Sequence, residues 1–464
     1  MKLETKANLA MGAFLLACLI PSLGMLVLPE EPAAANQALA PPPALTTREG
    51  GVNPQVLGEL TDYVEDHFAL RQRLITANAA LEAALFHTSA QDSVLLGEED
   101  WLFYKETVDD YLHTDPLTER ELFGAARTLA LLSEYAQSCG ASLTFTVAPN
   151  KASLYPNYLP YVGIPLNGED DIDRLIPLLE EQGVAYVDLF APFEERYRER
   201  GQVLYHAADS HWTNQGAALA HDTLMEALGG PTRWEGAVWT ESTHRGDLYE
   251  MVYPTGTRLE QEFVPAQGFA FQAVRPIRGP EDLRIQTECP GQAGSLLMFR
   301  DSFGNTLYPF MASSFGQAVF SRSMPWQMTL LDETGADTVV IELVERNLDY
   351  LAQRAPIFPA PQRGLTGTPP VGEASARVSA LEDGSLAGYL RLEGGLSGPV
   401  DADSPIYVQL GGALYEASPA GESGEDEYPF TLYVPAGPAL DDIRVLYLLD
   451  GQVLQAGQTE LIQP

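Results

Sequence analysis

Ser142-Leu143-Thr144-Phe145-Thr146-Val147, running into Ala148-Pro149-Asn150-Lys151, is the stretch where the chain changes its period. Upstream, apolar residues recur at helical spacing from about Thr118 to Ser138, and Gly140 supplies the stop. The run itself is short and closed by a Pro-Asn turn, which reads as a strand. The alternation then repeats: a helix over about 170–182, a strand over 184–189, a helix over about 191–200, an extended segment at 203–206 and a helix over 214–228. It resumes with a strand at 296–299, a helix over 303–314, a strand at 317–320, a helix over 326–333 and a buried strand at 338–343. Strands and helices in this rhythm predict an α/β domain, a parallel sheet with helices on both faces. Ligands of such sheets bind at the carboxyl ends of the strands. Asn150, Asp209, His211 and Ser302 each fall just after a strand or extended segment.

Working outward, 1–28 reads as a membrane anchor or signal segment and 29–55 as a Pro- and Ala-rich linker. The α/β domain spans 56–353, opening with a helical pattern from Asn53-Pro54 to about Phe86, with Leu57, Leu60, Val64 and Phe68 on one face. A small hairpin follows over 93–104, turning near Glu98–Asp100. Residues 231–290 read as an antiparallel insertion without an assigned role, and His221 and His244 as surface residues. A proline-rich linker occupies 354–373. Beyond it, 374–464 alternates apolar and polar residues between Gly and Asp clusters, the pattern of a small β-sandwich.

The formal charge of −37 argues against nucleic acid and against an anionic membrane surface as partners. From Leu9 to Leu28 no charged residue occurs, a length that crosses a bilayer core. Lys2 and Lys6 before it and Glu30 and Glu31 after it orient the bulk of the chain outside the cytoplasm, as a single-pass membrane protein or, if the segment is cleaved, a secreted or periplasmic one. Cys18, Cys139 and Cys289 form no disulfide framework or metal knuckle; a Cys139–Cys289 pair stays an option outside the cytoplasm.

Asp209-Ser210-His211-Trp212 supplies an imidazole and a carboxylate two residues apart, the pairing a general base needs to fix its tautomer. The nucleophile that suits it is Ser302, in Arg300-Asp301-Ser302-Phe303-Gly304, between a strand and a helix start. The bland alternative is that Asp301 or Ser302 caps one helix and Asp209 or Ser210 the other. Lys151 is one of only four lysines and reads equally well as a solvated loop cation. A metal site from His206, Asp209 and His211 lacks a nearby fourth ligand, and His206 fits better facing a strand neighbour.

Several stretches together resemble the SGNH hydrolase-like domain of the alginate O-acetyltransferase (AlgX/AlgJ) type, and more closely the related DHHW proteins. They are Asp66-His67-Phe68 with Arg71, Gly97 with Trp101-Leu102-Phe103-Tyr104, Pro149-Asn150-Lys151, Tyr155-Pro156, Asp209-Ser210-His211-Trp212-Thr213 with Gly216-Ala217, Arg300 to Gly304, and Glu345-Arg346-Asn347. They run in the family's order over roughly residues 56–350. The resemblance implies a triad of Ser302 nucleophile, His211 base and Asp209 orienter, with Asn150, Tyr308 and Arg322 as oxyanion or substrate contacts. No cofactor and no metal are expected. The resemblance also implies acetyl transfer to, or acetyl ester hydrolysis on, a cell-envelope or secreted polysaccharide, with a membrane protein as acyl donor. Two positions depart from the pattern: Arg300 stands where a GDS motif has glycine, and Ser210 where DHHW has histidine. The alternative function is a non-catalytic glycan-binding or scaffold protein of an envelope polysaccharide assembly.

Overall fold

The computed structural model describes residues 11–12, 23–25, 27–28, 39–47, 50–160, 168–365, 367–382, 384–421, 427–437 and 440–462. Most of the apolar N-terminal run, and residues 29–38 and 48–49 of the linker after it, lie outside these residues. Among the described residues no helix is long and apolar enough to cross a membrane.

The strands in chain order are β1 Val94–Leu96, β2 Leu102–Tyr104, β3 Ser142–Ala148, β4 Ala185–Val187, β5 Trp239–His244, β6 Glu260–Pro265, β7 Gln272–Ala273, β8 Arg284–Glu288, β9 Ser295–Phe299, β10 Gln317–Ser321 and β11 Thr338–Val344. The main sheet has the order β4-β3-β11-β9-β10-β8-β7. Its first five strands are parallel, and β8 and β7 add antiparallel at one edge. Successive side chains face opposite sides of a strand. Leu296 and Met298 of β9 therefore enter one core, with the helices Asn214–Ala227 and Gly304–Ala312. Leu297 and Phe299 enter the other, with the helices Glu119–Ser138 and Asp171–Glu181. The predicted α/β layering is what the chain builds. Because the central strands run one way, the residues after β3, β9 and β11 emerge at the same sheet edge.

The helix Glu119–Ser138 starts at a capping box, in which Thr118 and Glu121 satisfy each other's backbone N–H groups. The hairpin β1–β2 forms around the expected turn. Three expectations need correction. The continuous helix over 53–86 is two helices, Val56–His67 and Arg71–Phe86, broken where Leu70 takes φ 67°. Leu57, Leu60 and Val64 lie on solvent instead of a core, so their periodicity recorded amphipathicity without a partner face. The helix expected over 326–333 is confined to Leu330–Thr334, since Gln327 is bridged to Ile357 in an extended pairing.

The C-terminal strand-rich region holds β12 Gln362–Arg363, β13 Ser375–Leu381, β14 Tyr389–Ser397, β15 Ile406–Leu410, β16 Ala413–Ala417, β17 Glu427–Pro435, β18 Arg444–Leu449, β19 Gln452–Gln455 and β20 Gln458–Ile462. Two sheets, β12-β16-β15-β18-β19 and β17-β14-β13-β20, enclose a shared core of Val378, Leu392, Val408, Leu432, Val445 and Tyr447. The proline-rich segment before them is stitched in, because β12 pairs with β16 and Pro359 bridges Tyr433. Glu416 on β16 joins the two regions. Its carboxylate is 1% exposed and takes Arg127 of the helix Glu119–Ser138 at 2.7 Å and Arg363 at 2.6 Å. Removing one partner of a buried ion pair leaves the others uncompensated. Glu416→Ala is therefore expected to lower the unfolding free energy by about 3 kcal/mol, read by denaturant titration; a loss within experimental error would show that the two arginines are satisfied without it.

Candidate active site

The loop 205–212 is closed by a bridge between Tyr205 and Trp212 and by the Thr213 N–H donating to the Leu204 carbonyl at 2.8 Å. Such irregular backbone, once buried, needs donors for its carbonyls. Lys151 supplies them. Its ammonium, 2% exposed, donates to the carbonyls of His206 (3.1 Å), Ala207 (3.0 Å) and Asp209 (2.6 Å), and lies over the rings of Trp101 and Phe103. The solvated-cation reading is overturned; Lys151 pins the histidine loop to the end of β3. Tyr205 adds a hydroxyl bond to the Pro149 carbonyl at 2.5 Å. Burial pushes the Lys151 ammonium down to about 8, against the pull of Asp209, Asp247 and Glu260.

Within this loop Asp209 Oδ1 lies 2.7 Å from His211 Nδ1 and accepts the His211 backbone N–H at 2.9 Å. Facing a carboxylate, Nδ1 carries the proton, so Nε2 is left as the basic atom. Nε2 is buried and has no hydrogen-bond partner among the described residues. Burial disfavours charge on His211, yet the bond and charge of Asp209, helped by Asp247, raise it above the usual imidazole value. Asp209 responds in the opposite sense. Burial would raise it, but hydrogen bonds from His211 and His244 hold it well below the usual carboxylate range.

The nucleophile candidate sits on the turn after β9. Asp301 shapes that turn: Oδ1 accepts the Phe303 N–H at 2.8 Å, and Oδ2 accepts the N–H of Val344 at 2.7 Å and the Asn347 amide at 3.2 Å. Asp301 therefore shapes the turn ahead of the helix, and the capping alternative fails, since the N-cap position is Phe303 and no side chain caps it. Ser302 caps nothing; it is partly exposed, and its hydroxyl has no hydrogen bond among the described residues. Gly304 is needed next, because a Cβ there would come 2.6 Å from the Arg300 side chain, which wraps the helix start to reach Asn305 at 2.6 Å. Trp212, 1% exposed, donates its indole N–H to the Phe303 carbonyl at 3.2 Å, and the His211 ring lies 4.9 Å from the Phe303 ring. The histidine loop and the serine turn are therefore docked on each other, although Ser302 and His211 are not hydrogen-bonded.

The other candidates are dispersed. Asn150 is fully buried; its amide donates to Asp110 Oδ2 at 2.6 Å and its backbone N–H to Glu345 Oε2 at 2.6 Å. Tyr308 packs against Phe320 and Phe271 beneath Arg300. Arg322 follows β10, with its backbone N–H on the Leu283 carbonyl. Among the described residues no contact links Tyr308 or Arg322 to the Asp209–His211 pair. The caps of the histidine loop are also reassigned: Thr213, not Asp209 or Ser210, caps the following helix through the Gly216 N–H at 3.2 Å.

The insertion read without a role completes the site. His244, read as a surface residue, places Nε2 2.7 Å from Asp209 Oδ2. Asp247 takes the Ser210 hydroxyl at 2.6 Å and its backbone N–H at 2.8 Å. Glu260 accepts the N–H groups of Ala207 and Ala208 at 3.0 and 2.9 Å. His206 faces Glu262 of β6 at 3.2 Å. His221 is likewise no surface residue: it is fully buried, between Asp222 and the Ser314 hydroxyl, each at 2.8 Å. Cys139 is exposed, Cys289 is buried, and they are separate thiols. A cluster with metal-ligand spacing exists at Asp209, His211 and Asp247, but the inward lone pairs of Asp209 are already taken by N–H donors.

Residues 94–280 match the family described as the SGNH hydrolase-like domain of the acetyltransferase AlgX. A probable alginate O-acetylase AlgJ of Pseudomonas putida is 28% identical over 206 residues, covering 41% of this chain and 51% of that protein. Its Pseudomonas fluorescens counterpart is 25% identical over 259 residues, covering 53% and 60%. The chain thus spans between half and two thirds of the length of these relatives. Among solved structures, a DHHW family protein from Eubacterium siraeum aligns with a TM-score of 0.38 at 17% identity, over 48% of this chain and 85% of that one. The resemblance to the AlgX/AlgJ type drawn from the sequence motifs is borne out by the family match and the AlgJ relatives. The matched span contains Asn150, Asp209 and His211 and ends before Ser302.

The Lys151 clamp makes a signed prediction. Above about pH 8 the amine sheds its proton and keeps two N–H groups for three carbonyls. Because the unfolded chain holds that proton longer, this group adds stability as pH rises from 8 toward the ordinary lysine value, even as the loop loosens. Lys151→Met, which orphans the carbonyls at any pH, should cost about 2 kcal/mol and raise hydrogen exchange in residues 205–212; unchanged exchange there would refute the clamp.

Proposed function

We propose that this chain is an SGNH-type acyl-transfer enzyme, an O-acetyltransferase or acetylesterase of an envelope or secreted polysaccharide. The observation that carries the reading is His211. Its Nδ1 is tied to Asp209, its Nε2 is unpartnered, and its ring lies against the residue that follows a partly exposed serine. The match to the AlgX-type domain and the AlgJ relatives supports the acetyl group as cargo and a polysaccharide as acceptor.

In this mechanism His211 Nε2 takes the Ser302 hydroxyl proton as the oxygen attacks an acetyl carbonyl. Asp209 stabilises the imidazolium, and the amino end of the helix Gly304–Ala312 faces the oxyanion. The tetrahedral intermediate collapses when His211 returns the proton to the leaving group, giving acetyl-Ser302. A sugar hydroxyl, or water in an esterase, then repeats the steps. The apolar run Leu9–Leu28 suits an anchor that holds the domain outside the cytoplasm beside a membrane acyl donor. The C-terminal strand-rich region suits an accessory β-sandwich that carries the polysaccharide. A scaffold role shares all of these features except a reactive serine.

Labelling with a serine-directed fluorophosphonate should modify Ser302 alone, and Ser302→Ala and His211→Ala should each lower turnover of an acetyl ester by about 10³-fold or more. Since His211 must be neutral to act, kcat/KM should rise across a pH range above the ordinary imidazole value. No adduct and equal turnover in all three chains would turn the assignment to the scaffold reading.

A further inference from the structure

The proposed triad leaves one titratable group at its centre unused. His244, the last residue of β5, puts Nε2 2.7 Å from Asp209 Oδ2, while His211 Nδ1 stands 2.7 Å from Oδ1. One carboxylate thus carries two imidazoles, one on each oxygen. The Asp247 N–H is the second donor to Oδ2, at 2.9 Å. The His244 ring lies face to face with His206 at 4.3 Å, and its side chain is 36% exposed against 22% for His211. It can therefore exchange protons with water more readily than the base it neighbours.

We propose that His244 is a positioning residue for the His211–Asp209 pair: it holds the carboxylate by its second oxygen and, through its own proton, tunes how readily His211 accepts one. The proposal rests on reading His211 as the general base. A carboxylate held at one oxygen can swing about its terminal torsion, which is soft; held at both, its plane is fixed. The charge argument follows from sharing. A cationic His244 draws on the same negative charge that would stabilise an imidazolium at His211, so the two rings titrate as a coupled pair. Asp209, Glu260 and Glu262 favour the cation at His244, and Asp247 adds negative charge beyond Asp209. His206 stacks on it, bound to Glu262, while Lys151 sits behind the loop and Arg258 pairs with Glu260 at 3.9 Å. Arg245, next in the chain, is turned to the Pro254 carbonyl and Glu250. Burial disfavours charge on His244, but the bond and charge of Asp209 outweigh it and raise the ring above the usual imidazole value. His244 and His211 are thus raised by the same carboxylate, so the charge on one ring bears on the proton of the other.

The test compares the full chain with His244→Gln, which keeps an N–H donor without a charge, and His244→Phe, which keeps neither. Ring resonances of His211 are followed by NMR against pH, and kcat and KM for p-nitrophenyl acetate are measured over the same range. In His244→Gln the His211 titration is expected to move upward by about half a pH unit, and the acid limb of the rate profile with it. In His244→Phe kcat should fall roughly tenfold with KM little changed, and the Gln variant should recover most of that loss. A His211 titration unmoved in His244→Gln would overturn the proposal, as would a His244→Phe enzyme with wild-type kcat. If the Phe variant does not fold, the Gln titration alone decides. The ring titration needs no substrate, so a wild-type chain without turnover would sink the acyl-transfer reading and still leave His244 to be judged.

Discussion

Everything at this site depends on one buried ammonium. Lys151 ends the turn after β3 and gives its three N–H groups to three carbonyls of the histidine loop. That loop forms no ladder with the main sheet, so its carbonyls would otherwise be desolvated without partners. The cation replaces the missing strand. The same charge, enclosed by Trp101 and Phe103, balances an otherwise acidic surround of Asp209, Asp247 and Glu260.

The serine turn is built by a different logic. Asp301 reaches across to the end of β11 and folds the backbone over itself, while Arg300 occupies the side on which Gly304 has no Cβ. The arginine that stands in place of a motif glycine is thus accommodated by a glycine four residues later. Beneath the turn lies Glu342, fully buried on β11, which accepts the Asp301 N–H at 3.3 Å. Its burial and the neighbouring Asp301 charge push its carboxyl well above the usual range, which favours the uncharged form beneath the turn.

The two halves meet through Trp212 and Phe303. An indole N–H on a backbone carbonyl and one aromatic ring against the imidazole set the spacing between loop and turn. The surrounding core of Phe193, Tyr205 and Leu307 is continuous with the sheet, so that spacing is inherited from packing rather than from a loop free to move. The antiparallel insertion closes the open side, where Gly246 approaches Ala208 too closely for any side chain.

What the sequence determined by itself is the part governed by local chemistry and period. Alternating strands and helices announced the parallel sheet, Gly140 the stop of the helix Glu119–Ser138, and Asp209-x-His211 a pair that meets because two residues suffice to turn a carboxylate onto an imidazole. The amphipathic period of Leu57, Leu60 and Val64 was equally legible, but a period states only that a face exists, not what covers it. Tertiary structure alone decided the rest. His244 lies 35 residues from Asp209 in the chain and reaches it only because β5 pairs with β6 and Glu260 draws in the histidine loop. Lys151, an ordinary loop lysine in sequence, became a buried clamp for the same reason. The burial of a charge and the partner that compensates it are properties of long-range packing, which no local pattern encodes.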